Sequence, residues 1–436
     1  MTREEIERIY CTLFQVFILE SIWRSLNISH LPKISIMFNS PSKRPGFLLL
    51  FPNIFGFKGG MQVYSTFFLQ ALQHLYPHAR YRVFLKYDRT SPPHIPVQPQ
   101  THFTCLGKFP RWLQSLLLLV STIIAGIVER PHLVIATHLN YGIPCYWLKR
   151  LTGTPYWIVV HGLEGWDLAH PQRQQALRHA DRVLAVSRYT RDRLLAEQNL
   201  DRDRVVILPN TILSEEFQPA PKPSHLLQRY GLTPEQPTIL TVTRLGKSAR
   251  YKGYDRLLQA LVKIRQQMPN VRYILGGKGD DLPRIQNLVE KLGLQDCVTL
   301  AGFIADEELC DHYNLCDVFA LPSTGEGFGI VYLEALACGK PVLGGDRDGT
   351  VEPLDYGKYG CLVNPEDTEA IADNLMAILQ GTHPNRTLFK PEILRQKALE
   401  RFDFPQFCQI LAQHLESSRS FGDRPIWDEK KAIASS

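Results

Sequence analysis

Ser323-Thr-Gly-Glu-Gly-Phe-Gly-Ile-Val-Tyr-Leu-Glu-Ala-Leu-Ala-Cys-Gly-Lys-Pro-Val342 is the stretch from which the fold of this 436-residue chain is read. An apolar run of strand length ends at Leu321, and three glycines at positions 325, 327 and 329 then break any regular element. From Ile330 the apolar residues continue at helical spacing, so the reading is strand, glycine-rich turn, helix. Glycine lets a backbone approach a ligand closely and adopt positive φ where a turn needs it. The unpaired N–H groups of Gly327, Phe328, Gly329 and Ile330 at the helix start suit a phosphate. Glu326 lies in the turn and Glu334 one turn into the helix, so both can face one ligand. A carboxylate beside a phosphate site is electrostatically awkward unless it binds sugar hydroxyls, for which it is a strong acceptor.

The same rhythm extends in both directions. Towards the amino end, candidate strands fall at Phe47–Phe51, Val83–Leu85, Leu133–Ala136, Trp157–Val160, Arg182–Val186 and Val205–Leu208, with amphipathic helix such as Gln62–Leu75 between them. Prolines 219, 221, 223, 234 and 237 then exclude a continuous helix or central strand. Beyond them strands restart at Thr238–Val242, Val271–Gly276, Val298–Ala301, Val318–Leu321 and Pro341–Leu343. Repeated βα units imply buried parallel sheets covered by helices. The expected fold is therefore α/β, with two doubly wound Rossmann-like domains, residues 46–218 and 237–395, facing across a cleft. Residues 219–236 form the linker, 396–436 a return segment and tail, and 1–45 an extension outside both domains.

Composition narrows the class. Apolar residues at 44% and charged residues at 21% fit a globular chain rather than a disordered one. Nine cysteines without a CxxC spacing give neither a disulfide framework nor a structural zinc site, which points to a reducing, cytoplasmic compartment. The net charge of +6 is uneven: residues 21–128 hold eleven Lys and Arg against one acid, Asp88. That excess suits an anionic membrane or an acidic substrate. In the extension, Phe14, Phe17, Ile18, Ile22 and Leu26 recur at the spacing of an interfacial helix. The longest apolar stretch, Leu113–Val128, has 16 residues interrupted by Gln114, Ser115, Ser121 and Thr122. It falls short of the roughly 20 needed to span a bilayer and is expected to be a buried helix.

Further residues gather at expected strand ends. Arg244 follows the first strand of the second domain and Lys252 precedes its first helix, both aimed at the cleft, while Lys247 and Arg250 read as solvated. Gly59 and Gly60 join the first strand to the first helix of the amino-terminal domain, and His161 ends the strand Trp157–Val160. Glu164 and Asp167 follow it as candidates for acceptor hydroxyls. Gly277 and Phe303 follow two further strands and can edge a nucleotide site.

Glu326 and Glu334, separated by seven residues and followed by Ala335-Leu-Ala-Cys-Gly-Lys-Pro-Val342, resemble the signature of the retaining GT-B glycosyltransferases of family 4, and the resemblance extends over residues 47–415. It implies that Glu334 holds the ribose hydroxyls of a nucleotide and Glu326 a hydroxyl of the donor sugar. Arg244 and Lys252 would bind the diphosphate, the Gly59–Gly60 loop would approach the donor phosphate or the acceptor, and His161 would contact the donor sugar. The segment Phe402–Leu415 would pack back against the first domain. Asp346-Arg-Asp-Gly-Thr350 with Glu352 is more charged than the loop common in the family. The implied activity is transfer of a sugar from a UDP- or GDP-sugar to a hydroxyl of a glycan or lipid-linked acceptor, in polysaccharide or glycolipid assembly, with an anionic membrane surface as a further expected partner. No metal, no other cofactor and no nucleic acid are expected. The competing expectations are a nucleotide-sugar epimerase of the same fold and a non-catalytic nucleotide-sugar-binding protein.

Overall fold

The computed structural model describes residues 45–56, 59–91 and 100–418. The helix expected around Phe14–Leu26, Phe57 and Lys58 of the first glycine loop, and the tail beyond 418 lie outside the described residues.

The first half is a seven-stranded parallel sheet. Its strands are β1 (Gly46–Phe51), β2 (Arg80–Leu85), β3 (Thr101–Cys105), β4 (Leu133–Ala136), β5 (Tyr156–Val160), β6 (Arg182–Ala185) and β7 (Val205–Ile207), in the order β3-β2-β1-β4-β5-β6-β7. Its helices are α1 (Gly60–Leu75), α2 (Arg111–Glu129), α3 (Gly142–Thr152), α4 (Pro171–Arg178) and α5 (Arg188–Gln198). Strands β1, β4 and β5 are buried at every position, as apolar runs covered on both faces must be.

The second half is a six-stranded parallel sheet in the order β10-β9-β8-β11-β12-β13. It comprises β8 (Thr238–Val242), β9 (Arg272–Gly276), β10 (Val298–Gly302), β11 (Val318–Leu321), β12 (Val342–Gly345) and β13 (Cys361–Val363). After the short linker helix α6 (Ser224–Tyr230) come α7 (Tyr254–Gln267), α8 (Leu282–Lys291), α9 (Asp306–Leu315), α10 (Ile330–Ala337) and α11 (Thr368–Leu379). Strand order reverses between β1 and β4 in one sheet and between β8 and β11 in the other. Loops diverge at such switch points and leave a crevice beyond the strand ends. The loops carrying Gly59, Arg244 and Glu326 all leave from these four strands.

Two edge strands, β3 and β13, were not among the expected ones. The helix α12 (Pro391–Phe402) runs through position 395, where the second domain was expected to end. The last helix, α13 (Phe404–Glu416), packs on α1 of the first half. Phe407 meets Tyr64 edge-on at 5.6 Å between ring centres, and Phe404 lies 5.9 Å from Phe67. His414 Nε2 is 2.8 Å from the carbonyl oxygen of Ile207. Arg395 ties this crossing to both halves by donating to the carbonyls of Ser214, 3.0 Å away, and Ala337, 2.6 Å away.

The Leu113–Val128 stretch corrects its expectation. It lies within α2, a 19-residue helix that buries Gln114, Leu118, Thr122 and Gly126 but leaves Trp112, Val120, Ile124, Ile127 and Val128 exposed. By length and composition alone α2 could cross a membrane.

Candidate active site

The glycine-rich turn after β11 is held from two sides. Asp348, on the loop after β12, is fully buried and accepts hydrogen bonds from the Glu326 backbone N–H at 2.7 Å and the Ser323 hydroxyl at 2.6 Å. Its second oxygen accepts from the Thr350 N–H at 2.9 Å. Burial raises the Asp348 carboxyl to about 6 against those hydrogen bonds. On the other side, the Thr324 N–H donates to the Tyr251 carbonyl at 2.8 Å. Gly253 takes φ +77° there, and a Cβ at that position would collide with the Pro322 carbonyl oxygen.

This clamp brings Lys252 against Glu326, and the two form an ion pair. Burial opposes the charged form of Lys252, yet the adjacent Glu326 carboxylate and Tyr251 together outweigh it and the net shift is upward. Arg244 is exposed and close enough to act electrostatically on Lys252. Lys247 is exposed as expected. Arg250 is not simply solvated: it pairs with the buried Asp281 at 2.7 Å, which Arg284 and the Tyr254 hydroxyl also hold. Those partners keep the Asp281 carboxyl well below the usual carboxylate range, with Arg284 the largest influence.

Glu334, in α10, is 7% exposed and accepts a 2.5 Å hydrogen bond from the Tyr313 hydroxyl of α9. Burial raises its carboxyl to about 7, the Tyr313 bond opposes, and Asp306 and Glu216 add to the rise. Among the described residues Glu326 forms an ion pair with Lys252 alone, and Glu334 forms none. Ile330 opens α10 and Gly329 caps it with φ +85° and no side-chain cap, so the first N–H groups of the helix lack a side-chain acceptor there. Phe328 is buried against Phe402, 5.3 Å between rings, and so contributes backbone rather than side chain.

The first half meets this turn directly. A Cβ at Gly327 would collide with the His161 carbonyl oxygen, so only glycine allows the two halves to approach this closely. The Gly327 carbonyl accepts from the Ser187 hydroxyl at 2.6 Å, and the Arg188 N–H donates to Glu352 at 2.5 Å. Asp348 and Glu352 of the charged loop are therefore engaged by backbone groups. Gly59 caps α1 without a side-chain bond, and a Cβ on Gly60 would rest 3.9 Å from Ile330, which places the diglycine at the start of α10.

His161 Nε2 lies 2.8 Å from the Thr137 carbonyl, and its ring meets Tyr64 edge-on at 5.0 Å. Burial lowers its pKa against the pull of Glu164, which favours a neutral ring near pH 7. A carbonyl only accepts, so Nε2 carries the proton and Nδ1 is left as an acceptor. Glu164 accepts from the His161 N–H at 2.6 Å. Asp167, in contrast, is directed to α5, with its side chain 84% exposed and paired with Arg193 at 3.1 Å. The structure does not bring it to the cluster. Gly277 donates to the Gly302 carbonyl at 2.6 Å, and Lys278 stands 4.9 Å over the Phe303 ring, which is 49% exposed and hence not core.

Several contributors escaped the sequence reading. Asp348 and Tyr313 brace the two glutamates, and neither position has a local pattern that reveals it. His138, at the end of β4, is lowered to about 4, chiefly by burial, with Glu164 opposing and His161 adding to the fall. Asp88 accepts from the N–H groups of Ile54, at 2.7 Å, and Gly56, at 2.8 Å, and so shapes the loop after β1. The chain has two Asp-x-Asp spacings, and both are otherwise engaged: Asp201 caps its own turn by accepting from Asp203 N–H at 3.1 Å, and Asp348 braces Glu326.

Two parallel α/β halves with a glycine turn between them, and with Arg244, Lys252, Glu326 and Glu334 at the strand ends and helix starts around it, define the architecture of the GT-B type. The comparisons with known proteins agree. The glycosyl transferases group 1 family matches residues 226–392, and the glycosyl transferase 4-like domain matches residues 59–211. The GDP-mannose-dependent alpha-(1-6)-phosphatidylinositol monomannoside mannosyltransferase of Mycolicibacterium smegmatis is 36% identical over 272 residues, 59% of this chain and 69% of that protein. Its Mycobacterium tuberculosis H37Rv counterpart is 34% identical over 232 residues, 50% of this chain and 59% of that protein. Among solved structures, sucrose-phosphate synthase from Thermosynechococcus elongatus superposes with a TM-score of 0.73 at 22% identity, covering 86% of this chain and 98% of that one. Anabaena HepE in complex with UDP-glucose gives 0.69 at 22%, covering 85% and 99%. At such identities these two structures speak for the fold. The chain belongs to the glycosyl transferases group 1 family, family 4 of the GT-B glycosyltransferases.

Proposed function

We propose that this glycosyltransferase moves a sugar from a UDP- or GDP-sugar to a hydroxyl acceptor with retention of anomeric configuration and without a metal. The observation that carries the reading is the Lys252–Glu326 pair, whose glutamate sits in the glycine turn beside Gly327, the residue that meets the backbone of His161 and Gly162. One residue of the pair offers positive charge to a departing diphosphate and the other an acceptor for a sugar hydroxyl. Arg244 adds a second cation from the end of β8.

In the reaction the bond from the anomeric carbon to the phosphate oxygen breaks, and the acceptor oxygen bonds to that carbon on the same face. The acceptor proton passes to the departing phosphate oxygen. Lys252 and Arg244 stabilise the charge that grows on the diphosphate, as fixed donors do best in a preorganised site. Glu334 holds the ribose, and neutral His161 accepts from or orients a sugar hydroxyl. The acceptor is a glycan or lipid-linked molecule in polysaccharide or glycolipid assembly, met in the cytoplasm at the membrane face. Similarity to GDP-mannose-dependent mannosyltransferases makes GDP-mannose the first donor to try, with UDP- and ADP-sugars beside it.

The test is a thermal-shift panel of these donors on the full chain, followed by transfer assays and NMR of the product anomer. One donor should stabilise the protein and yield a product of unchanged configuration. An inverted product refutes retention. Conversion of the donor to an isomer without acceptor, or tight donor binding with neither transfer nor donor hydrolysis, refutes the transferase reading.

A further inference from the structure

Eleven large apolar side chains are exposed among the described residues, and six of them sit on α2 or its lead-in: Phe109, Trp112, Val120, Ile124, Ile127 and Val128. At 3.6 residues per turn the five positions within the helix, Val128 at the margin, fall on one side of it, opposite the buried Gln114, Leu118, Thr122 and Gly126, and Phe109 precedes them in the lead-in. From Trp112 to Val128 the stripe is about 24 Å long at 1.5 Å per residue. Trp112 is 72% exposed, which is costly for an indole facing water and ordinary for one at a lipid headgroup boundary.

The surroundings of the stripe are basic. Lys108 and Arg111 are exposed at its amino end, and exposed Arg150 neighbours the half-exposed Leu151 on α3, the helix that packs beside α2. Glu129, the acid at the carboxyl end, is neutralised by Arg82 at 2.7 Å. Asp88, the single acid of residues 21–128, is buried and occupied by backbone N–H groups. The buried side of α2 is fixed to the domain: a Cβ on Gly126 would already collide with Leu148 of α3. A helix so anchored along one side can lie on a bilayer but cannot cross it with the domain intact.

We propose that the exposed side of α2 docks the protein on an anionic lipid bilayer, lying in the interface plane with its apolar stripe among the acyl chains and Lys108, Arg111 and Arg150 at the headgroups. This rests on, and sharpens, the lipid-linked acceptor reading. The amino end of α2 follows β3, and the Gly107 N–H bonds to the Asp88 carbonyl at 2.8 Å. It therefore lies on the strand-end side of the sheet that also carries His161 and the loop after β1. A membrane held there is adjacent to the mouth of the cleft, so an acceptor could enter without leaving the lipid.

The insertion of apolar side chains distinguishes this docking from attraction by charge alone. Salt screens exposed charges beyond about 8 Å at physiological ionic strength, whereas buried apolar area is not screened. The experiment is flotation of the full chain with vesicles of phosphatidylcholine, or of phosphatidylcholine with phosphatidylglycerol, at low and high salt. Wild type should float with the anionic vesicles, less at high salt but still measurably, and brominated lipid should quench tryptophan fluorescence in wild type but not in Trp112→Ser. Ile124→Asp with Ile127→Asp should weaken vesicle binding about tenfold or more at both salt concentrations. Both positions are at least half exposed, so the melting temperature should hold.

Flotation of the double variant equal to wild type places any binding elsewhere, in residues 1–43 or the basic surface alone, and overturns the proposal. So does a wild-type chain that stays in solution at low salt, or one that forms dimers which the double variant dissociates. Transfer to a soluble acceptor should be unchanged in the double variant. Absent transfer in wild type would count against the activity reading and leave the flotation result standing.

Discussion

Replacing Glu334 with glutamine removes a charge that burial already disfavours while keeping an oxygen for the Tyr313 hydroxyl. The carboxyl rises from an ordinary 4.5 to about 7 in the folded protein, a difference worth about 3 kcal/mol at 1.36 kcal/mol per unit. Because the folded state binds this proton more tightly than the unfolded chain, the stabilising contribution is fully present below about pH 4.5 and is lost as pH rises through 7. Above pH 7 the wild type carries the whole penalty and Glu334→Gln does not. The variant should therefore melt at the wild-type temperature near pH 5 and on the order of 4 °C above it at pH 8. Donor binding reverses the advantage. Two ribose hydroxyls donating to the carboxylate favour its ionised form, so wild type should release up to one proton per donor bound between pH 6 and about 7, read by calorimetry in buffers of different ionisation enthalpy. The variant should release none and bind the donor about 10- to 100-fold more weakly, the range for hydrogen bonds to a charged group. A melting difference that is flat with pH, or wild-type binding without proton release, would refute the assignment of Glu334 as a buried, ribose-binding carboxylate.

Arg244→Ala and Lys252→Ala should each cost about 2–4 kcal/mol of transition-state stabilisation, read from kcat/KM, as loss of a preorganised charge donor does; a drop under threefold would return both to the solvated surface. Transfer should survive EDTA, since the two cations act on the diphosphate, and activity lost to EDTA but restored by Mg²⁺ or Mn²⁺ would contradict this. Gly327→Ala puts a methyl against the His161 carbonyl and should lower kcat about tenfold or more by holding the halves apart, with donor affinity for the second half little changed; an unaltered kcat would mean that this approach is not needed for turnover. Asp348→Ala should release the Glu326 N–H and the Ser323 hydroxyl and lower kcat more than it weakens donor binding, and steady-state kinetics showing an effect on KM alone would argue against the brace.

The central strands were readable because a parallel strand covered on both faces must be a short apolar run, as Leu133–Ala136, Thr238–Val242 and Val318–Leu321 are. The edge strands β3 and β13 were not, since Thr101-His-Phe-Thr-Cys105 is half exposed and three-residue Cys361–Val363 is too short to show a period. The glycine turn, Glu326, Glu334, Arg244, Lys252 and His161 were legible for a related reason: each sits next to a strand end or helix start whose local signal locates it. Which partners these residues meet was a different matter. Glu326 is braced by Asp348 and Glu334 by Tyr313, both from other loops and helices, and the burial that lifts Glu334 to about 7 is a property of the packed domain.

Helix α2 shows the boundary most plainly. The sequence by itself determined that Leu113–Val128 is helical, because propensity acts within a few residues of chain, and the structure extends the helix to Arg111–Glu129. It could not determine which side is covered: Gln114, Ser115, Ser121 and Thr122 share one arc of the helix, which amphipathicity alone would turn to water, yet the buried residues Gln114, Thr122 and Gly126 lie on that arc. That was decided by Leu148 on α3, which receives the Gly126 side of the helix and leaves Trp112, Ile124 and Ile127 in the open. Local chemistry fixes what an element is; burial depends on what the rest of the chain brings beside it.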